Sequence, residues 1–475
     1  EVAPGDLFVA LPGASRHGAE FVAEVIAGGA QAVLSDPSGL AHMGELPEDF
    51  PVALHPHPRA QLGSLAQVVY DPGVQLPDVF SVTGTNGKTS VVFFLDAIAR
   101  AMNVNSAFSN THERRIGHES VKTPLTTPEA PELHALLAVA AERKVTLMAL
   151  EASAQAIQRQ RLSGIISRVA GFTNLSHDHL EDYGDMDTYF ETKRQLFQPA
   201  LSQLAVISVE SEWGHKMLAG CGVPAVSIGS PDQHPTWSVE VSGIHGGDTT
   251  FVLSGPEGTL TSRIRTVGQH MVRNAALAMV MLIQAGYAVE ALEEAVGLHR
   301  GGINLVVPGR AEKVSRDSKV SVFVDAGRSP DAYQNTLEAL ASHGSGKMIV
   351  VCGTSGNRDR TKRFAMGEIA ATLADYVIVA DDDPRKEDPA QIRADILAGV
   401  KSAQRAKYED IASQEEAIAR AIAIAEVGDT VVWMGPGSQS YRDVGGVREP
   451  FSARGEAIRA LQSAGYLIEN VGEPA

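Results

Sequence analysis

The stretch Val82-Thr83-Gly84-Thr85-Asn86-Gly87-Lys88-Thr89-Ser90 constrains this chain more than any other. The apolar run Val79 to Thr83 reads as a strand, and Ser90 to Met102 reads as a helix. A strand that turns through two glycines into a helix start lets backbone N–H groups approach phosphate oxygens, and the helix end adds partial positive charge. Lys88 brings a full charge toward β- and γ-phosphates, and the Thr89 hydroxyl suits Mg²⁺. The longer form of such loops has glycine where Val82 stands, so this loop is a shortened one. Gly84, Thr85, Asn86, Gly87, Lys88, Thr89 and Ser90 are therefore the expected ATP phosphate site. A plain structural turn is the competing reading, and the flanking strand and helix argue against it.

The rest of the chain is patterned the same way. Short apolar runs at Asp6 to Leu11, Ala32 to Leu34, Thr146 to Leu150 and Ser167 to Phe172 read as strands. So do Val320 to Val324, Met348 to Val351, Tyr376 to Val379 and Thr430 to Met434. Helical stretches intervene at Glu20 to Ala27, Asn274 to Gly286 and Glu415 to Ile424. The alternation predicts α/β architecture with parallel sheets and ligands at strand C-termini. Val239 to Val252 alternates like antiparallel strands around Gly246-Gly247-Asp248. Breaks at Asp71-Pro72-Gly73 and Pro308-Gly309 divide the chain into three expected domains, 1–76, 77–308 and 309–475. A chain of 475 residues is too long for one ordinary domain.

A formal net charge of -17 removes any general attraction to nucleic acid or an anionic membrane surface. No apolar run approaches the ~20 residues that span a bilayer. Two cysteines, Cys221 and Cys352, offer neither metal-ligand spacing nor a disulfide framework, which fits a reducing, cytoplasmic setting. The chain opens at Glu1 without methionine, which leaves room for a preceding stretch.

The shortened loop Gly84 to Thr89 resembles that of the Mur ligases and their folylpolyglutamate synthetase cousins. The likeness continues in order through Thr126-Thr127-Pro128-Glu129, Glu151-Ala152-Ser153, Phe172 to Leu180 and Tyr189 to Lys193. It then runs through Pro308-Gly309-Arg310, Gly356-Asn357-Arg358-Asp359, Asp382-Asp383-Pro384-Arg385 and Gly435 to Tyr441. It is strongest to the branch that adds the third peptide residue. This resemblance implies a UDP-binding domain, a central P-loop ATPase-like domain and a C-terminal Rossmann-like domain for the amino acid. It implies an ATP-dependent ligase of peptidoglycan precursor synthesis, working as a monomer. A diamino acid would be joined to UDP-N-acetylmuramoyl-L-alanyl-D-glutamate through an acyl phosphate. Two anions must meet in such a reaction, so metal ions and lysine are needed to offset their repulsion.

By the same resemblance, Thr89 and Glu151 are the expected ligands of one Mg²⁺ and His179 of a second. Lys193 is expected to carry a carbamate that serves the metals. Lys88, His179 and Lys193 are the catalytic candidates. Asn274, Arg310 and Asp325 would touch the nucleotide, with Arg310 reaching it only if the third domain closes. Thr126, Thr127, Ser153, Arg159 and Arg161 would hold the muramoyl substrate, and its UDP end would lie near Leu11 to His17. Arg358, Asp382, Asp383, Pro384, Arg385, Gly435 and Gln439 would hold the incoming amino acid.

Several positions depart from the family pattern. Arg159 stands where glutamine is expected, Gln155 and Arg328 where histidine is, and Pro436-Gly437-Ser438 where Lys-Gly-His is. Asp383 and Gln439 replace the Asn and Glu usual for meso-diaminopimelate. Asp383 suits a far end bearing only an ammonium, which favours lysine or ornithine. Arg385 usually pairs a carboxylate and argues for meso-diaminopimelate. Two other readings compete. A folylpolyglutamate synthetase needs neither a UDP domain nor the Asp-Asp-Pro-Arg run. A nucleotide-binding regulatory protein with decayed catalysis would have lost Glu151, His179 and Lys193.

Overall fold

The computed structural model describes residues 2–466, apart from 14–15, 123–124, 179, 246, 316–318 and 342–344. Its strands form three main sheets. The first is three-stranded and parallel: β1 (Leu7–Ala10), β2 (Ala32–Ser35) and β3 (Val52–Leu54). Ala10, Ala19, Val22, Val33 and Met43 bury one small core. The connection after β1 is held by His17. Its Nδ1 accepts from the Ala19 N–H at 3.0 Å, and its Nε2 lies 2.8 Å from Asp36 Oδ2.

The central sheet holds β4 (Asp78–Thr83), β5 (Ser106–Ser109), β6 (Glu113–Ile116), β7 (Glu119–Lys122), β8 (Leu147–Glu151), β9 (Ser167–Phe172) and β10 (Ser202–Ser208). It continues with β11 (Ala225–Gly229), β12 (Trp237–His245), β13 (Asp248–Gly255) and β14 (Gly258–Ile264). The order is 14-13-12-11-10-9-4-8-5-6-7. The strand expected to feed the phosphate loop, β4, lies between β8 and β9 and pairs with both in parallel. Both its faces are covered, because Phe80 and Val82 face one core and Val79 the other. That double burial is why the run reads as continuously apolar.

The sheet is less parallel than the sequence implies. β5 to β7 form an antiparallel meander at one edge and β12 to β14 another at the opposite edge. Only the second was legible, from the alternation in Val239 to Val252. Of its expected turn, Gly246 lies outside the described residues, and Gly247 has φ +94°. The helices Lys88–Ala101 and Gln269–Gln284 lie together on one face, where Val91, Phe94, Leu95, Leu277 and Met281 are buried. The second begins five residues before its expected start at Asn274.

The third sheet holds β15 (Glu312–Lys313), β16 (Ser321–Asp325), β17 (Met348–Cys352), β18 (Tyr376–Val379), β19 (Lys407–Asp410) and β20 (Thr430–Met434), in the order 15-16-20-17-18-19. All pairs but β15–β16 are parallel. A hairpin, β21 (Tyr441–Val444) and β22 (Val447–Pro450), follows β20. The strand order changes direction around β20, so the C-terminal ends of β16, β20 and β17 open one crevice, the usual place for a ligand in such sheets. Asp325 and the loops beginning at Gly353 and Gly435 lie at its rim.

Candidate active site

The loop after β4 is built from its glycines. Gly84 has φ +153° and Gly87 φ +89°, both in the region that favours glycine. A Cβ at Gly84 would overlap Thr173 Oγ1, and one at Gly87 would lie 2.6 Å from Asn274 Oδ1. The loop is also fastened from β9's end. Thr173 Oγ1 donates to the Asn86 carbonyl at 2.6 Å, Asn174 Oδ1 accepts from the Asn86 N–H at 3.0 Å, and the Thr85 N–H bonds the Asn174 carbonyl at 3.0 Å. Thr89 and Ser90 are buried in the first turn of the helix that follows.

Two lysines converge on one carbonyl. Lys88 Nζ donates to the carbonyls of Gly84 and Thr85, both at 2.9 Å, and Lys193 Nζ donates to Gly84, also at 2.9 Å. Lys193 comes from the helix Met186–Arg194, is 1 % exposed, and lies 4.4 Å above the Tyr189 ring. Burial, then the neighbouring Lys88, holds its amine well below the ordinary lysine range. Burial lowers Lys88 too, while Glu151 and Asp178 partly offset this. An amine in such a place sheds its charge more readily than a solvated one.

Glu151 ends β8 and is 1 % exposed. Its two oxygens accept from the Thr111 N–H at 3.1 Å and the Thr111 hydroxyl at 2.9 Å. Thr127 Oγ1 donates to the Glu151 carbonyl at 2.7 Å and accepts from the Ser153 N–H at 3.2 Å. The Thr126 hydroxyl lies 3.2 Å from the Thr111 hydroxyl oxygen. Thr89, Glu151 and Lys193 thus line one cavity of about 650 Å³ with the phosphate loop, Thr126, Ser153, Arg161 and Asn274. The donors suit a hard cation, since Mg²⁺ is commonly held by one or two carboxylates, a hydroxyl and phosphate oxygens. Among the described residues no cluster of three or more His, Cys, Asp and Glu side chains forms a protein-only metal cage. His179 lies outside the described residues.

The third domain closes the same cavity. Arg310, Asp325 and Arg358 line it beside the phosphate loop. Asp325 is oriented by the N–H groups of Ala311 and Gly327, both at 2.7 Å. Polar bridges cross between the domains. Asn86 Nδ2 donates to Ser329 Oγ at 3.3 Å and Asp331 Oδ2 at 3.0 Å. Lys362 Nζ meets Asp178 Oδ1 at 3.0 Å, His177 meets Asp359 at 3.0 Å, and His112 Nδ1 lies 3.0 Å from Ser438 Oγ. Burial pushes His112 down to about 3, so it is neutral.

The remaining expected residues separate. Arg161 is buried, and its guanidinium donates to Glu129 Oε1 at 2.8 Å and the Thr127 carbonyl at 3.1 Å, so it braces the wall. Arg159 is exposed, and neither it nor Thr127 lines the cavity. Gln155 does line it, with its amide donating to Asp182 at 2.5 Å. Asp382, Asp383, Pro384, Arg385, Gly435 and Gln439 gather around the crevice of the third sheet rather than in the cavity wall. A second hollow of about 410 Å³ is lined by Pro12, Asp36, Pro56 to Ala60, Gln158 and Gln160, between the first and second sheets. Sequence reasoning missed Thr111, His270, Arg273 and Asp331. His270 and Asn274 stand four residues apart on one helix face, a spacing that carries such a signal.

Residues 82–282 match the Mur ligase middle domain, and residues 309–437 match the Mur ligase glutamate ligase domain. The chain is 43% identical over 472 residues to a UDP-N-acetylmuramyl-tripeptide synthetase of Leifsonia xyli, covering 98% of this chain and 91% of that protein. It is 38% identical over 468 residues to a UDP-N-acetylmuramoyl-L-alanyl-D-glutamate--2,6-diaminopimelate ligase of Streptomyces avermitilis, covering 97% and 90%. A solved diaminopimelate ligase of the same name superposes with a TM-score of 0.68 at 27% identity, covering 98% of this chain and 94% of that one. A folylpolyglutamate synthase of Mycobacterium tuberculosis shares the fold at 17% identity and TM-score 0.64, covering 80% of this chain. With its phosphate loop, buried lysines and closing third domain arranged around one cavity, and with these likenesses along almost its whole length, the chain belongs to the Mur ligase family.

Proposed function

We propose that this protein is an ATP-dependent ligase that joins the amino group of a diamino acid to the D-glutamyl carboxylate of UDP-N-acetylmuramoyl-L-alanyl-D-glutamate, a cytoplasmic step of peptidoglycan precursor synthesis carried out by a monomer. The observation that carries it is the shared cavity, where Lys88, Thr89, Glu151 and Lys193 of the second domain face Arg310, Asp325 and Arg358 of the third. ATP with Mg²⁺, when bound, supplies the phosphoryl group that makes the carboxylate electrophilic as an acyl phosphate. The Gly84 to Ser90 amides and Lys88 hold its phosphates, Asn274, Arg310 and Asp325 its nucleotide side, and Thr89 and Glu151 one metal. His179 is assigned to a second metal on resemblance alone. Closure of the third domain excludes water, which would otherwise hydrolyse an acyl phosphate.

Lys193 is the proposed site of a carbamate. An uncharged buried amine adds to CO₂ and releases a proton, turning a neutral amine into an anionic oxygen ligand. The depressed proton affinity of Lys193 supports this. Thr126 and Ser153 are assigned to the muramoyl end, with Thr127 and Arg161 bracing them and Arg159 outside the wall. The hollow at Pro12 and Asp36 is the proposed seat of the UDP end. Arg358, Asp382, Asp383, Pro384, Arg385, Gly435 and Gln439 form the acceptor end. Domain limits near 76 and 308 are supported by sheets that begin afresh at Asp78 and Glu312.

The test is phosphate release from ATP in the presence of the UDP-muramoyl dipeptide and an amino acid acceptor. Release should need both, and Lys88→Ala should abolish it. Release that is indifferent to the dipeptide would remove the ligase reading.

A further inference from the structure

Arg328 lies in the turn after β16 and sends its guanidinium into the acceptor end of the third domain. Nε donates to Asp382 Oδ2 at 2.7 Å, and Nη2 donates to Asp382 Oδ1 at 3.1 Å, Asp383 Oδ2 at 3.4 Å and Gln439 Oε1 at 2.6 Å. The two aspartate side chains are 3 % and 6 % exposed. Asp383's other oxygen accepts from the Asp443 N–H at 3.1 Å. Both acids that would read an ammonium on the acceptor are therefore already paired, and so is the carbonyl of Gln439.

The neighbouring arginines show the reverse. Among the described residues, the guanidinium of neither Arg358 nor Arg385 has a hydrogen-bond or ion-pair partner. Burial and then Arg358 lower Arg385, while Asp383 and Asp443 partly offset this, so the two cations lie close enough to repel. Arg328, Arg358 and Arg385 thus gather here with Asp382, Asp383 and Asp443, and of the three guanidiniums Arg328's is the one spent on hydrogen bonds to the acids. Arg358 lines the main cavity and Arg385 does not, so the free positive charge extends from the reacting centre outward.

We propose, resting on the ligase reading, that Arg328 is a specificity-determining residue. Its guanidinium holds the place against Asp382, Asp383 and Gln439 that a far-end ammonium of the acceptor would take. The site thus favours acceptors whose far end accepts hydrogen bonds, a carboxylate or neutral oxygen, over those ending in a bare ammonium. A bare ammonium would enter beside three guanidiniums with Asp382 and Asp383 already paired to Arg328, and like-charge juxtaposition of that kind is a strong means of rejection. This reverses the leaning toward lysine or ornithine that Asp383 alone suggested, because Asp383 is paired within the protein.

The test is the kcat/KM of phosphate release with ATP, the UDP-muramoyl dipeptide and each of L-lysine, L-ornithine, L-citrulline and meso-diaminopimelate. L-Citrulline keeps the ornithine chain but ends in a neutral carbonyl-bearing group. In the wild type, the better of citrulline and meso-diaminopimelate should exceed the better of lysine and ornithine at least tenfold. Arg328→Gln should raise lysine relative to that acceptor at least tenfold, chiefly through KM, and Arg328→Lys should restore the wild-type order. A merely structural Arg328 would lower all four acceptors together, and that result overturns the proposal. Lysine or ornithine as the best wild-type acceptor overturns it too and leaves the ligase reading standing. Release with none of the four overturns both. Should Arg328→Gln fail to fold, the wild-type ranking decides.

Discussion

Lys193 is buried against the Gly84 carbonyl, and its position makes a pH-dependent prediction. Its proton affinity in the folded protein lies well below the ordinary 10.5 of lysine. Between the folded and unfolded values the unfolded chain binds more protons, so folding stability rises with pH across that window. Lys193→Met should flatten the rise, measured as unfolding free energy against pH in CO₂-free buffer without nucleotide. It should also lower kcat by at least roughly a hundredfold, the scale of removing one preorganised electrostatic group from an active site. A variant that keeps the slope would show that Lys193 is not the group responsible. Gly84 offers a steric counterpart. Its φ of +153° and the crowding by Thr173 mean that Gly84→Ala strains the loop by roughly 1–3 kcal/mol. A lower melting temperature and lost ADP binding should follow, and unchanged ADP affinity would contradict the crowding.

At the scale of elements, the third domain's helices Lys362–Leu373 and Pro389–Ala403 pack so closely that Gly367 and Gly399 have no room for a Cβ. Arg363, 0 % exposed, ties this pair together. It donates to both oxygens of Glu387 and to Asp395 Oδ2, all at 2.9 Å. Breaking a buried pair from one side strands its partner, so Arg363→Met should cost about 3–5 kcal/mol in urea unfolding. Hydrogen bonding from Arg363 holds Glu387 at about 2 rather than 4.5. Its folded-state value is depressed, so its contribution is present above pH 4.5 and is lost as pH falls toward 2. The variant should lose that acid-range slope. A cost below about 1 kcal/mol, the range of exposed pairs, would mean the triad is solvated.

Across the whole molecule, polar bridges between the second and third domains hold the two walls of the cavity together. Asn86 belongs to the phosphate loop and yet bonds Ser329 and Asp331, so the loop is tied directly to the third domain. Lys362, whose side chain is 7 % exposed, spans to Asp178. Asn86→Ala removes two hydrogen bonds of about 1 kcal/mol each, which predicts a kcat lowered by roughly ten- to thirtyfold. Combined with Lys362→Met, it should enlarge the radius of gyration in solution scattering with an ATP analogue and the dipeptide present. Equal radii for variant and wild type would show that closure does not depend on these contacts. Among the described residues no helix is long and apolar enough to cross a membrane.

What the sequence determined by itself is the local chemistry. The strand, the two glycines and Lys88-Thr89-Ser90 sit next to one another, so their meaning survives without coordinates, and the ordered motifs carried the family with them. β4, β9, β18 and β20 were legible because buried parallel strands are short continuous apolar runs. The edge strands β5 to β7 were not, since runs such as Glu113–Ile116 are mostly polar and are fixed by pairing with a neighbour rather than by their own pattern. Tertiary structure alone decided which charges remain free. Arg328, Asp382 and Gln439 are 54 and 111 positions apart when counted from Arg328, and only folding sets one guanidinium between them. Sequence likewise could place Arg161 near the substrate but could not show that Glu129 already holds it. A side chain's identity fixes its charge; its partners, which fix whether that charge is available, are chosen in three dimensions.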